Sequence, residues 1–116
     1  MKNLTQNITW SNVNASNDQI KGYVENYARD MNVYTSNLVI NNGNVTFTTY
    51  SKITYEELVT KSVRKKYPLN EEFAILRKAI NGKTTEYETY NAYVEECKVR
   101  AKEFIAQREK ALGGNN

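Results

Sequence analysis

Leu38-Val39-Ile40-Asn41-Asn42-Gly43-Asn44-Val45-Thr46-Phe47-Thr48-Thr49-Tyr50 decides how this chain folds. β-branched and aromatic residues fill both flanks, and such side chains pack well on a pleated surface. Between the flanks, Asn42-Gly43 suits a tight turn, because both residue types tolerate the positive φ angles that short hairpin turns require. The second flank alternates Val45, Phe47 and Thr49 with Thr46, Thr48 and Tyr50, so one of its faces can cover a core. The spacing therefore predicts an antiparallel hairpin.

Toward the N-terminus, residues 3–10 place Leu4, Gln6, Ile8 and Trp10 on one side of an extended chain, the period of a half-buried strand. This strand and the hairpin predict a small antiparallel sheet. Between them, Ser16 and Gln19 have capping-box spacing, in which each side chain can satisfy an unpaired amide at a helix start. Ile20, Tyr23, Val24, Tyr27 and Met31 follow at helical spacing, which predicts a helix to about Asn32 with that set facing inward.

Toward the C-terminus the pattern turns helical. Thr54 and Glu57 form a second capping box, before a helix that carries Leu58, Val59 and Val63 on one side and Arg64, Lys65 and Lys66 near its end. Cations there complement the exposed carbonyls of a last turn. Pro68 stops this helix, because proline disfavours helical geometry in the preceding residue, Tyr67. Asn70 is the expected cap of a short helix that ends at Asn81-Gly82 and turns Phe73, Leu76 and Ile80 inward. Thr85 and Glu88 form a third box, opening a last helix to about Leu112. Its inward set, Tyr87, Tyr90, Val94, Cys97, Ala101 and Phe104, alternates steps of three and four and makes a narrow seam suited to lengthwise packing on another helix. The fold class is thus α+β, a small antiparallel sheet with amphipathic helices, as one domain over residues 1–112 with a tail at 113–116.

Composition narrows the function. The chain has 116 residues, with no His, one Cys and nine Tyr. Without His, the common catalytic triads and zinc sites lose their usual base and ligand. Cys97 has no second cysteine to pair with and falls on the apolar seam, as expected of a buried structural thiol. The pairs Glu56-Glu57, Glu71-Glu72 and Glu95-Glu96 are helical neighbours, which diverge by about 100° and share no acid/base site. The sequence therefore predicts no catalytic, cofactor or metal site. No apolar run resembles a signal peptide or a membrane span, which points to a reducing compartment and no membrane partner. The Asn, Lys, Tyr and Ile surplus is what an AT-rich genome tends to encode.

The net charge is +3. Residues 1–60 hold four Lys and Arg against five Asp and Glu, and residues 61–116 hold twelve against eight. Arg64, Lys65 and Lys66 are the candidate nucleic-acid contacts, and nearby Tyr residues could stack on bases. The footprint is thin for a dedicated binder, since the Tyr residues mostly occupy core-facing positions. The protein-interface candidates are Tyr87, Tyr90, Val94, Ala101 and Phe104. A helix of about 28 residues is about 42 Å long, more than a small domain can cover, so part of its seam is expected to meet another chain.

Two stretches, Arg64-Lys65-Lys66-Tyr67-Pro68-Leu69-Asn70-Glu71-Glu72-Phe73-Ala74-Ile75-Leu76-Arg77-Lys78 and Glu88-Thr89-Tyr90-Asn91-Ala92-Tyr93-Val94-Glu95-Glu96-Cys97-Lys98, resemble the C-terminal portion of small uncharacterised proteins encoded by bacteriophages. The resemblance covers less than half of the chain and transfers no functional residue. It implies a phage product, located in the host cytoplasm or incorporated in the virion. The function expected is a non-enzymatic structural or assembly protein acting through protein contacts, either by self-association or with other phage proteins. The alternatives are a nucleic-acid-binding accessory protein and an inhibitor of a host or defence protein.

Overall fold

The computed structural model describes residues 4–113. They fall into two compact units, one running to Lys52 and resuming at Gln107, the other spanning Ile53–Ala106. Length alone predicts one domain, and the division puts the sheet in one unit and the helical half in the other. The last residues of the expected tail, 114–116, lie outside the described residues.

The first unit holds β1 (Thr5–Trp10), α1 (Asn17–Met31), β2 (Val33–Asn41) and β3 (Asn44–Ser51) in an antiparallel sheet of order β1-β3-β2. The hairpin forms as its residues predict, with Asn41 facing Asn44 and positive φ at both Asn42 (51°) and Gly43 (82°). Val45, Phe47 and Thr49 are buried at 0%, 2% and 3% exposure, which confirms the face chosen by alternation. α1 opens on Ser16, whose hydroxyl accepts from Gln19 N (3.2 Å) while Gln19 Oε1 accepts from Ser16 N (2.9 Å). Ile20 and Val24 bury against Val45 and Phe47, and Ile8, Trp10, Tyr27, Leu38 and Ile40 pack around them. Trp10, Tyr27 and Phe47 meet edge to face, with centroids 5.0 to 5.9 Å apart. That geometry sets positive ring edges against negative ring faces.

Two of the inward positions expected on α1 are exposed. Tyr23 sits at the margin of the arc set by Ile20, Val24 and Tyr27, and Met31 is the last helical residue. Asn supplies all four non-glycine residues with positive φ among those described, Asn12, Asn32, Asn37 and Asn42. Asn32 caps the C-terminus of α1 in this conformation. Asn reaches left-handed geometry more cheaply than other L residues, so the Asn surplus has structural uses beyond coding bias.

The second unit contains α2 (Tyr55–Lys66), α3 (Leu69–Ile80) and most of α4 (Thr85–Ala111). The Thr54 hydroxyl accepts from Glu57 N (3.2 Å) and Glu57 Oε1 from Thr54 N (3.1 Å), the predicted box. Tyr67 is extended before Pro68, and α2 ends there. α3 starts two residues earlier than an Asn70 cap would place it, with Pro68 in the cap position. The Pro68 carbonyl accepts from Glu71 N and Glu72 N (both 3.0 Å), with no side-chain cap. Past its end, Gly82 N donates to Ala79 O and Lys83 N to Lys78 O, the paired bonds of a glycine-terminated helix. α4 likewise starts from the Thr84 carbonyl, which accepts from Glu88 N (2.9 Å), so Thr85 is its first helical residue and not its cap.

Candidate functional site

The predicted α4 seam faces inward. Cys97 and Ala101 are buried at 1% exposure and Phe104 at 9%, while Tyr87, Tyr90 and Val94 are half-buried. Face and residues are as the spacing predicts. Ala101 and Phe104 are covered within the single chain, so they offer no surface to a partner. A long helix in a small protein buries its stripe at home when its own chain supplies enough cover.

Upstream along the seam, polar groups join the three helices. Arg64 on α2 pairs with Glu72 on α3, Nη2 to Oε1, at 2.9 Å. The other carboxylate oxygen of Glu72 accepts from the Tyr90 hydroxyl on α4. Arg64 Nη1 also donates to Tyr67 O (3.3 Å), and the Tyr93 hydroxyl donates to Ser62 O (3.1 Å). Tyr67 stands edge-on to Tyr90 at 5.1 Å and tilted to Tyr93 at 5.7 Å. Tyr87 lies tilted against Tyr90 at 6.3 Å. The hydrogen bond from Arg64, and then that from Tyr90, hold the Glu72 carboxyl below its ordinary range. Burial, reinforced by Glu72, pushes the Tyr90 phenol up to about 12.

Glu72 accepts from Arg64 and Tyr90, so one carboxylate links α2, α3 and α4. A carboxylate with a lowered pKa is a weak base, and a phenol near 12 gives up no proton at neutral pH. The cluster is built to hold helices together, with both groups fixed in the forms that bond best. Among the described residues, no group of three or more Cys, Asp or Glu is placed to hold a metal ion.

The same bonds disperse the basic run. Arg64, expected at a nucleic-acid surface, is turned onto Glu72. Lys66 Nζ lies over the Tyr93 ring at 4.7 Å and the Tyr67 ring at 5.7 Å. Lys65 and Lys66 are both exposed. Three cations adjacent in sequence thus point about 100° apart along α2, with Arg64 engaged by Glu72.

α3 holds the surface that spacing misassigns. Phe73 and Ile80, expected inward, are 55% and 84% exposed, and Leu69 is 49% exposed. Ile75 is buried instead, with Glu72, Leu76 and Ala79 half-buried beside it. The helix is rolled so that Glu72 reaches Arg64 and Tyr90, and that roll carries Phe73 outward. Leu69, Phe73, Leu76 and Ile80, separated by steps of four, three and four, form a stripe at the margin of the buried face. Exposed Arg77 flanks it.

No family model, curated protein or solved structure matches this chain. Among the described residues, no helix is long and apolar enough to cross a membrane.

Proposed function

We propose that this chain is a non-enzymatic bacteriophage protein of the structural or assembly kind, which works by docking an amphipathic helix of another phage protein onto α3. The observation that carries the reading is the stripe of Leu69, Phe73 and Ile80, large apolar side chains left in water at the spacing of a helix-packing seam. Contiguous exposed apolar surface on a folded protein marks an interaction site more often than scattered single residues do. The partner helix would carry its own apolar stripe, with acidic residues placed to meet Arg77. The phage origin rests on the resemblance of residues 64–78 and 88–98.

Co-expression with the products of neighbouring phage genes tests the reading. Phe73→Glu together with Ile80→Glu should abolish co-purification while leaving the melting temperature of the isolated chain unchanged, since both side chains are already exposed. Co-purification that survives both changes would move the docking surface elsewhere. Salt-sensitive binding to DNA by a chain with no protein partner would favour the accessory-protein alternative.

A further inference from the structure

The sheet ends in two edges of different kinds. β2 is irregular, because its register against β3 shifts between Ser36 and Val39 and Asn37 adopts a left-handed conformation. β1 keeps one uninterrupted register with β3 from Thr5 to Trp10. Its sequence, Thr-Gln-Asn-Ile-Thr-Trp, has no charge and no proline. Bulges, charges and prolines are the devices by which edge strands resist pairing with other chains, and β1 has none of them. Thr5, Gln6, Asn7 and Thr9 are exposed.

The ladder fixes which backbone groups are available. Asn41 and Asn44 face each other across the two-residue turn, and Ser51 N donates to Leu4 O at 2.8 Å. In an antiparallel pair, bonded residues alternate with non-bonded ones. Leu4, Gln6, Ile8 and Trp10 therefore direct their N–H and C=O groups toward β3, while Thr5, Asn7 and Thr9 direct theirs away from the sheet.

We infer that this edge pairs antiparallel with the β1 edge of a second copy of the chain, about a two-fold axis through Asn7. In that register Thr5 faces Thr9 of the second copy and Asn7 faces Asn7, so every outward N–H and C=O of the strand finds a complement. On the face that carries the core, Leu4 comes opposite Trp10, and Gln6 opposite Ile8. Leu4, Ile8 and Trp10 are half-buried in one chain, and the pairing extends their cover. The strand is thus complementary to itself in backbone, in side chain and in its lack of charge. The pairing uses the first unit alone and stands apart from docking on α3.

Sedimentation equilibrium at rising protein concentration, with amide hydrogen exchange on the same samples, tests it. A monomer–dimer equilibrium is expected, in which exchange at Asn7 and Thr9 slows as the dimer fills while Gln6 and Ile8 are protected throughout. Asn7→Asp opposes two carboxylates across the axis yet still accepts the bond that the Thr48 hydroxyl now donates to Asn7 Oδ1 (3.1 Å). It should weaken dimerisation at least tenfold. Thr9→Pro, which removes an outward N–H and no ladder bond, should do the same and serves if the first variant fails to fold. A chain that stays monomeric at every concentration would overturn the inference. So would a dimer that leaves the Asn7 and Thr9 amides fast or survives both substitutions. Phe73→Glu should leave this dimer intact, which separates it from the docking surface on α3.

Discussion

Replacing Glu72 by Gln removes the carboxylate that bonds α3 to α2 through Arg64 and to α4 through Tyr90. The Glu72 side chain is 14% exposed, and both of its oxygens are engaged, by Arg64 and by Tyr90. Hydrogen bonds to charged groups contribute about 1.5 to 3 kcal/mol each when buried. Two considerations lower the sum: the Arg64 side chain is 34% exposed, so water screens its charge, and Gln retains a neutral acceptor. Together these suggest a loss of about 2 kcal/mol, a fall in melting temperature of about 10 °C for a unit this small. The pH dependence gives an internal control. Glu72 has a pKa lowered from the ordinary 4.5, so its stabilisation is present above that value and fades as pH falls through the lower, folded value. Tyr90 has a pKa raised from 10.0 to about 12, so its contribution is complete below 10 and fades as pH rises toward 12. Thermal unfolding followed by circular dichroism at neutral pH and near pH 3 should therefore show a wide gap between wild type and Glu72→Gln that narrows in acid. A gap under about 0.5 kcal/mol at neutral pH, within the range of ordinary surface substitutions, would refute the assignment of Glu72 as the joint. A gap independent of pH would refute the electrostatic account of it.

Three further outcomes are expected. Gly43→Ala should destabilise by about 1 to 2 kcal/mol, since Gly43 has φ +82° and the added Cβ would meet Val13 O at 3.2 Å; chemical denaturation measures it. Phe47→Ala should cost about 3 to 5 kcal/mol, because Phe47 is 2% exposed and meets both Trp10 and Tyr27 edge to face; loss of the near-ultraviolet aromatic signal at lower denaturant reports it. Thr54→Ala removes one side of a capping box and should cost about 1 kcal/mol, read from the denaturation midpoint.

Local chemistry made much of this fold legible from residues alone. Asn42-Gly43 needed only neighbouring backbone to choose its turn, and alternation through Val45, Phe47 and Thr49 named the buried face of β3. Ser16 with Gln19 and Thr54 with Glu57 started two helices, because a capping box satisfies amides within its own four residues. Pro68 ended α2 by acting on Tyr67. The Asn surplus, read from composition as coding bias, carried no mark that Asn12, Asn32 and Asn37 would take left-handed positions.

Tertiary contacts decided the rest. α3 has apolar residues at Leu69, Phe73, Ala74, Ile75, Leu76, Ala79 and Ile80, an arc too broad for periodicity to choose an inner face. The Glu72 carboxylate chose it, by turning to Arg64 and Tyr90 and leaving Phe73 and Ile80 in water. The α4 stripe was correctly placed by spacing, yet whether its own chain or another would cover it depended on cover that no window along α4 contains. By itself the sequence determined the hairpin turn, the starts of α1 and α2 and the end of α2, since those signals act over a few residues. The starts of α3 and α4 fell at Pro68 and Thr84 and not at the caps that spacing proposed. Which faces meet, and which stay open for partners, was settled only when segments distant in sequence competed for the same surface.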